Sequence, residues 1–237
     1  MLVVEKKGRA SKKHLPIAVL IDCSESVQDI QDLLNNSIQK MVQELNRRVE
    51  LRSYVELLVV HYNDYYHVPA SFVPVVDIKH GQLDIRSCEG TTHTGMAILK
   101  TLHLLQEKLT EYQGKREKHT KPLMFLFTDG YPDAGDGAPK ATMDQVKQDY
   151  EDAAEMIKEM EKADELYFCA AGIQRKDGCS ADMKTLSKLS AHKDRIVQVI
   201  GDDNGGETIS RFCNVICDTA TALRRSTPLE EAITKML

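Results

Sequence analysis

Residues 15–26 read Leu-Pro-Ile-Ala-Val-Leu-Ile-Asp-Cys-Ser-Glu-Ser, and this stretch decides the fold. The run from Leu15 to Ile21 is apolar, short and uninterrupted, the pattern of a strand buried on both faces. It stops at Asp22, and the segment DCSES (residues 22–26) follows as a polar turn. After it, Val27, Ile30, Leu33, Leu34, Ile38, Met41, Val42 and Leu45 repeat at spacings of three and four, which predicts an amphipathic helix with one buried stripe. Ser26 is its expected N-cap, with Asp29 three residues on. A strand, a tight polar turn and a helix form the first unit of an alternating α/β chain.

Outward from this unit the alternation continues. YVELLVVH (54–61) predicts a second strand, and HVPASFVPVV (67–76) contains a third. Pro69 and Pro74 cannot donate ladder hydrogen bonds, so the third strand belongs at a sheet edge, in a hairpin turning at Asn63 and Asp64. A helix from Thr94 buries Ile98, Leu102, Leu105 and Leu109, and a basic linker around Gly114 leads to the strand PLMFLFT, ending at Thr128. Next come a helix carrying Val146, Tyr150, Ala153, Ile157 and Met160, a strand ELYFCAAG (165–172), a short helix at 183–189 and a strand RIVQVI (195–200). A helix with Ile209, Phe212, Cys213, Ile216 and Cys217 follows, and a short one after Pro228. The expected fold is an open, doubly wound, mainly parallel six-stranded sheet with one antiparallel edge strand and helices on both faces.

The 237 residues, 42% of them hydrophobic, suffice for one large domain, expected over 15–237. Residues 1–14 hold Lys6, Lys7, Arg9, Lys12 and Lys13 and read as a basic, solvated arm. Lys plus Arg at 31 against Asp plus Glu at 36 leaves a net charge of −5, which gives no general electrostatic reason to bind nucleic acid or an anionic membrane. No apolar run approaches the roughly 20 residues of a membrane span or forms a signal-peptide core. The expectation is a soluble, cytoplasmic protein whose six cysteines, lacking any CxxC pair, are reduced thiols.

In such sheets ligands bind outside the carboxyl ends of the strands. Three polar clusters fall there: DCSES, GTTHTG (90–95) and TDG (128–130). Alternation in an extended loop points Asp22, Ser24 and Ser26 the same way. Thr91, Thr92 and Thr94 offer hydroxyls in the middle loop, and Asp129 adds a second carboxylate. Oxygen donors without histidine or thiolate suit a hard cation, magnesium first, with manganese or calcium as alternatives. Helix N-termini nearby disfavour a cation, so both Asp22 and Asp129 are needed to make the site attractive.

DxSxS after the first strand, THTG in the middle loop and TDG after the central strand resemble the metal-ion-dependent adhesion site of von Willebrand factor A domains, in the same order along most of the chain. The resemblance implies direct metal contacts from Ser24, Ser26 and Thr92, water-mediated contacts from Asp22 and Asp129, and one position left for a partner's Asp or Glu carboxylate. VPASFVPVVDI and TDGYPD look like the bacterial tellurium-resistance-type (TerY-like) branch. That likeness implies an adaptor in a stress-response system with kinase and phosphatase partners.

The enzymatic alternative is a haloacid-dehalogenase-like, magnesium-dependent phosphotransferase using Asp22. That family's pattern resembles DxDx[TV], and Ser24 stands where its second, acid/base aspartate belongs. Cys23 as a nucleophile with His61 or His93 is disfavoured because Asp22 and Glu25 raise a thiol's pKa. Cys213 and Cys217, one helical turn apart, lie on an apolar stripe and read as core. Asp133 and Asp136 read as a solvated loop.

Overall fold

The computed structural model describes residues 13–130, 132–133, 142–174, 180–200 and 205–225. The basic arm up to Lys12 and the short helix after Pro228 lie outside these residues. Strand β1 (Lys13–Asp22) starts two residues before the expected boundary, so Lys13 and His14 belong to the sheet. The other elements are α1 (Gln31–Arg47), β2 (Val55–Tyr62), β3 (Tyr66–Pro74), α2 (Thr94–Lys115), β4 (Lys118–His119), β5 (Leu123–Thr128), α3 (Met143–Lys162), β6 (Tyr167–Gln174), α4 (Met183–Leu186), β7 (Ile196–Ile200) and α5 (Gly205–Arg224).

The strand order is β3-β2-β1-β5-β6-β7. β2 and β5 flank β1 in parallel, β6 and β7 continue in parallel, and β3 closes the edge antiparallel to β2. Pro69 and Pro74 sit on that edge strand, where a missing N–H costs no ladder bond. Among the described residues the sheet has seven strands rather than six. The additional one is β4, two residues paired with Lys13 and His14 at the start of β1. It comes from the stretch read as a linker: α2 runs through Gly114 to Lys115, and Arg116, left-handed at φ 55°, ends it.

Alternation along β1 explains the two layers. Ile17, Val19 and Ile21 enter one core with Leu34, Ile38 and Met41 of α1 and Phe212 and Ile216 of α5. Ala18 and Leu20 enter the other with Ile98 and Leu102 of α2 and Tyr150 and Ile157 of α3. The period of two puts successive side chains on opposite faces, and each fully buried Leu or Ile contributes about 1.5–3 kcal/mol. Cys213 and Cys217 lie in the first of these cores, as their stripe predicts.

One local reading fails at the first turn. Ser26 does not cap α1; a 3-10 helix over Glu25–Ile30 intervenes, with Ser24 at its N-cap and no side-chain capping bond. Ser24 Oγ and Ser26 Oγ lie 2.9 Å apart and hydrogen-bond each other.

The chain leaves β1 for β2 on one side and returns to β5 on the other. The seam between β1 and β5 is therefore the point where strand order reverses, and the crevice outside its carboxyl ends is where a ligand fits. No described helix is long and apolar enough to cross a membrane.

Candidate metal centre

Asp22 is the last residue of β1 and is fully buried, at 0% exposure. Its Oδ1 accepts the Ser24 backbone N–H at 2.9 Å, and its Oδ2 accepts the Thr128 hydroxyl at 2.7 Å. Burial, followed by the negative charge of Asp129, pushes its pKa up to about 7. The negative charge of Asp129 thus opposes ionisation of the buried Asp22, and a cation beside the two carboxylates would relieve that opposition.

In front of Asp22 opens a cleft of about 580 Å³, lined by Ser24, Ser26, Thr91, Thr92, Asp129 and Asp133 among others. Four of the five expected ligands, Ser24, Ser26, Thr92 and Asp129, face this one space, and Asp22 lies behind Ser24. The middle loop is fastened to the first by backbone bonds: Glu89 N–H donates to Cys23 O at 3.0 Å and Glu25 N–H to Gly90 O at 3.2 Å. Gly90 adopts φ +74°, and a Cβ there would come within 2.6 Å of Asp64 Oδ2, so glycine is required.

The three threonines have different surroundings. The Thr91 hydroxyl and backbone N–H both donate to Asp64 Oδ1. The Thr94 hydroxyl lies 3.3 Å from the Tyr62 hydroxyl in the interior. Thr92 is buried at the cleft wall, its backbone paired in both directions with Asp133. Asp133 therefore borders the cleft, while Asp136 falls outside the described residues. His61 and His93 are buried, each with an Nε2 that has no hydrogen-bond partner among the described residues, and neither lines the cleft.

The third loop is set by Thr128 and Gly130. Gly130 N–H donates to Thr128 Oγ1 at 3.0 Å, and the Asp129 carbonyl accepts Asp182 N–H at 2.9 Å. Gly130 sits at φ +84°, where a Cβ would press on Leu186 at 2.9 Å.

Among the described residues no group of three or more His, Cys, Asp or Glu is placed to hold a metal. The Ser24, Ser26 and Thr92 hydroxyls with the Asp22 and Asp129 carboxylates would form a donor set suited to magnesium or manganese rather than zinc. The residues present would fit such an ion: Asp22 and Asp129 would supply negative charge, and the paired Ser24 and Ser26 hydroxyls stand at the cleft wall.

Sequence reasoning did not assign three supporting residues. Thr128, adjacent to Asp129, could have been noticed from its place at the strand end. Asp64, which holds Thr91, and Tyr62, beneath Thr94, carry no local signal because their partners are 27 and 32 residues away. The Cys23 thiol is buried and its pKa is raised, first by the hydrogen bond with Cys88 and then by burial, in keeping with a thiol that is not a nucleophile.

The profile of the von Willebrand factor type A domain matches residues 17–208. No curated protein sequence matches. Solved structures share the fold: the open pilus adhesin SpaC from Lactobacillus rhamnosus GG superposes with TM-score 0.63 at 11% identity, over 88% of this chain and 30% of its own. Proximal thread matrix protein 1 from the mussel byssus gives 0.57 at 17% identity, over 88% of this chain and 48% of its own. A von Willebrand factor type A protein from Catenulispora acidiphila gives 0.57 at 14% identity, over 88% and 43% respectively. The chain thus spans less than half the length of each of these three proteins, and the likeness attests the fold. With the profile covering most of its length and the sheet order and helical layers in place, the chain belongs to the von Willebrand factor type A domain family.

Proposed function

We infer that this protein is a metal-dependent protein-binding module without chemical turnover. Ser24, Ser26 and Thr92 contact a magnesium ion, Asp22 and Asp129 anchor its waters, and the remaining position receives a carboxylate from a partner protein. The observation that carries this reading is the convergence of four of these residues on one cleft, backed by the buried Asp22 beside Asp129. Thr92 is favoured within the middle loop because Thr91 is committed to Asp64 and Thr94 points to Tyr62. When bound, the ion supplies an electrostatic anchor for an anionic oxygen.

The phosphotransferase alternative asks Asp22 to attack a phosphate. Asp22 is fully buried, both its oxygens are engaged, and it does not line the cleft, which argues against that role. The resemblance of VPASFVPVVDI and TDGYPD to the TerY-like branch supports a narrower proposal: a cytoplasmic adaptor in a stress-response or tellurium-resistance system, with a kinase or phosphatase as the carboxylate-bearing partner.

The test is calorimetric titration of chelator-treated protein with magnesium and manganese, beside Asp22→Ala and the half-buried Ser26→Ala. Saturable binding that weakens in both variants is expected. Absence of binding by the parent protein, or unchanged binding in Asp22→Ala, overturns the metal assignment. Phosphate release from an aryl phosphate that disappears in Asp22→Asn would establish the enzyme instead.

A further inference from the structure

At the edge of the sheet His61 of β2 and His67 of β3 are direct cross-strand partners. Facing residues of an antiparallel pair project from the same side of the sheet. Their rings stand 6.1 Å apart, centre to centre, at 48° to each other. Both line a cavity of about 210 Å³ that shares no lining residue with the cleft around Ser24 and is roomy enough for an ion and several waters. His61 is buried, at 8% exposure, and its Nε2 has no hydrogen-bond partner among the described residues. Burying a ring nitrogen unpaired is unfavourable, and a lone pair there is satisfied by a donor or by a metal ion. His67 is exposed, so its ring turns without disturbing the core.

We propose that His61 and His67 form a second metal site, which takes one borderline divalent cation such as zinc, nickel or copper(II) and staples the edge strand β3 to β2. An ion about 2.0–2.1 Å from one nitrogen of each ring lies roughly 3.2 Å from each ring centre, so rings up to about 6.4 Å apart share it. The observed separation falls inside that limit, and a turn of His67 brings the angle at the metal towards tetrahedral. Water fills the remaining positions.

The neighbours limit the ligand set to the two imidazoles. Cys23 Sγ donates to Ile21 O at 3.5 Å, and Asp84 Oδ1 accepts Gln39 Nε2 at 2.7 Å, so both are engaged elsewhere. Arg86 also lines the cavity, but it is exposed, where solvent and salt screen its repulsion of a cation. Imidazole nitrogen suits zinc, copper and nickel, whereas magnesium prefers oxygen. The histidine pair therefore selects a different class of ion from the oxygen-lined cleft, and the proposal stands independently of the magnesium reading.

The test titrates chelator-treated full chain, carrying no histidine tag, with zinc chloride near neutral pH. Magnesium is kept in excess to occupy the oxygen-lined cleft. One zinc per chain is expected by calorimetry. His67→Gln, a change at an exposed position, should weaken this binding at least about tenfold, since losing a direct ligand costs no less than losing an outer partner. His103→Gln should bind as the parent does, because His103 lies on the surface of α2 beside Glu107. Nitrogen-detected NMR of the histidine rings at one equivalent of zinc should move His61 and His67 and leave the others in place. A parent protein that binds no zinc, unchanged affinity in His67→Gln, or shifts at His80, His103 or His192 instead overturns the proposal. Asp22→Ala should keep the zinc affinity of the parent; loss of zinc there would put the ion in the oxygen-lined cleft and overturn the histidine site. Absent magnesium binding alone counts only against the oxygen-lined centre.

Discussion

The Thr128 hydroxyl donates a 2.7 Å hydrogen bond to Oδ2 of the fully buried Asp22, joining the carboxyl ends of β5 and β1 at the seam where strand order reverses. Two residues 106 positions apart are thereby held as one unit. Thr128→Val keeps the shape and removes the donor. Stability should fall by about 1–3 kcal/mol, since a buried carboxyl oxygen loses its partner. Magnesium affinity should fall about 10–100-fold, as for other losses of support behind a metal ligand. Urea denaturation and calorimetry read the two effects separately.

Removing the metal should make stability depend on pH through Asp22. Its folded pKa, about 7, lies above its ordinary value of 3.8. A raised carboxyl pKa contributes stability that is fully present below the unfolded value and is lost as pH rises through about 7. The cation opposes this loss by binding the ionised form. Magnesium should therefore raise Tm more at pH 8 than at pH 5. Scanning calorimetry with and without chelator checks it, and an equal rise at both values would count against Asp22 as the responsive group.

Gly95 opens the first turn of α2 against α3. A Cβ there would meet Tyr150 N at 2.3 Å and Asp149 C at 2.4 Å, backbone atoms that cannot swing aside. Gly95→Ala should destabilise the protein by about 1–3 kcal/mol or more, outweighing the gain in helix propensity. The denaturation midpoint should fall with little change in the urea dependence.

Gly90→Ala places a Cβ on Asp64 Oδ2 in a left-handed backbone. The backbone cost is about 1–2 kcal/mol. The displaced Asp64 also releases Thr91 beside Thr92, so magnesium affinity should fall as well. Asp64→Ala should reproduce the loss of affinity without the backbone strain.

His61 gives a second pH effect of opposite sign. Burial, followed by the charge of His67, lowers its pKa from 6.5 to about 4, against weaker opposing effects of Leu83 and Asp84. A depressed histidine pKa contributes stability that is present above pH 6.5 and is lost as pH falls towards 4. The full difference corresponds to about 3 kcal/mol. His61→Gln should flatten this part of the stability curve, measured by urea denaturation between pH 4 and 7.

The sequence by itself determined the elements and their layers. Ile17, Val19 and Ile21 alternate with Ala18 and Leu20, and the helical stripes repeat at three and four, because local geometry fixes which side chains share a face. It also placed DCSES and TDG at strand ends, since apolar runs stop abruptly at Asp22 and Thr128. Only the tertiary structure decided how those loops meet. The Ser24–Ser26 bond, the hold of Asp64 on Thr91, the pairing of Thr92 with Asp133 and the bond from Glu89 N–H to Cys23 O have no periodic signature. Nor does β4, two residues that become a strand because the start of β1 is there to pair with them. Periodicity records which face of an element is buried; a contact between loops depends on how separate elements dock, and that is fixed by the packing of the whole sheet.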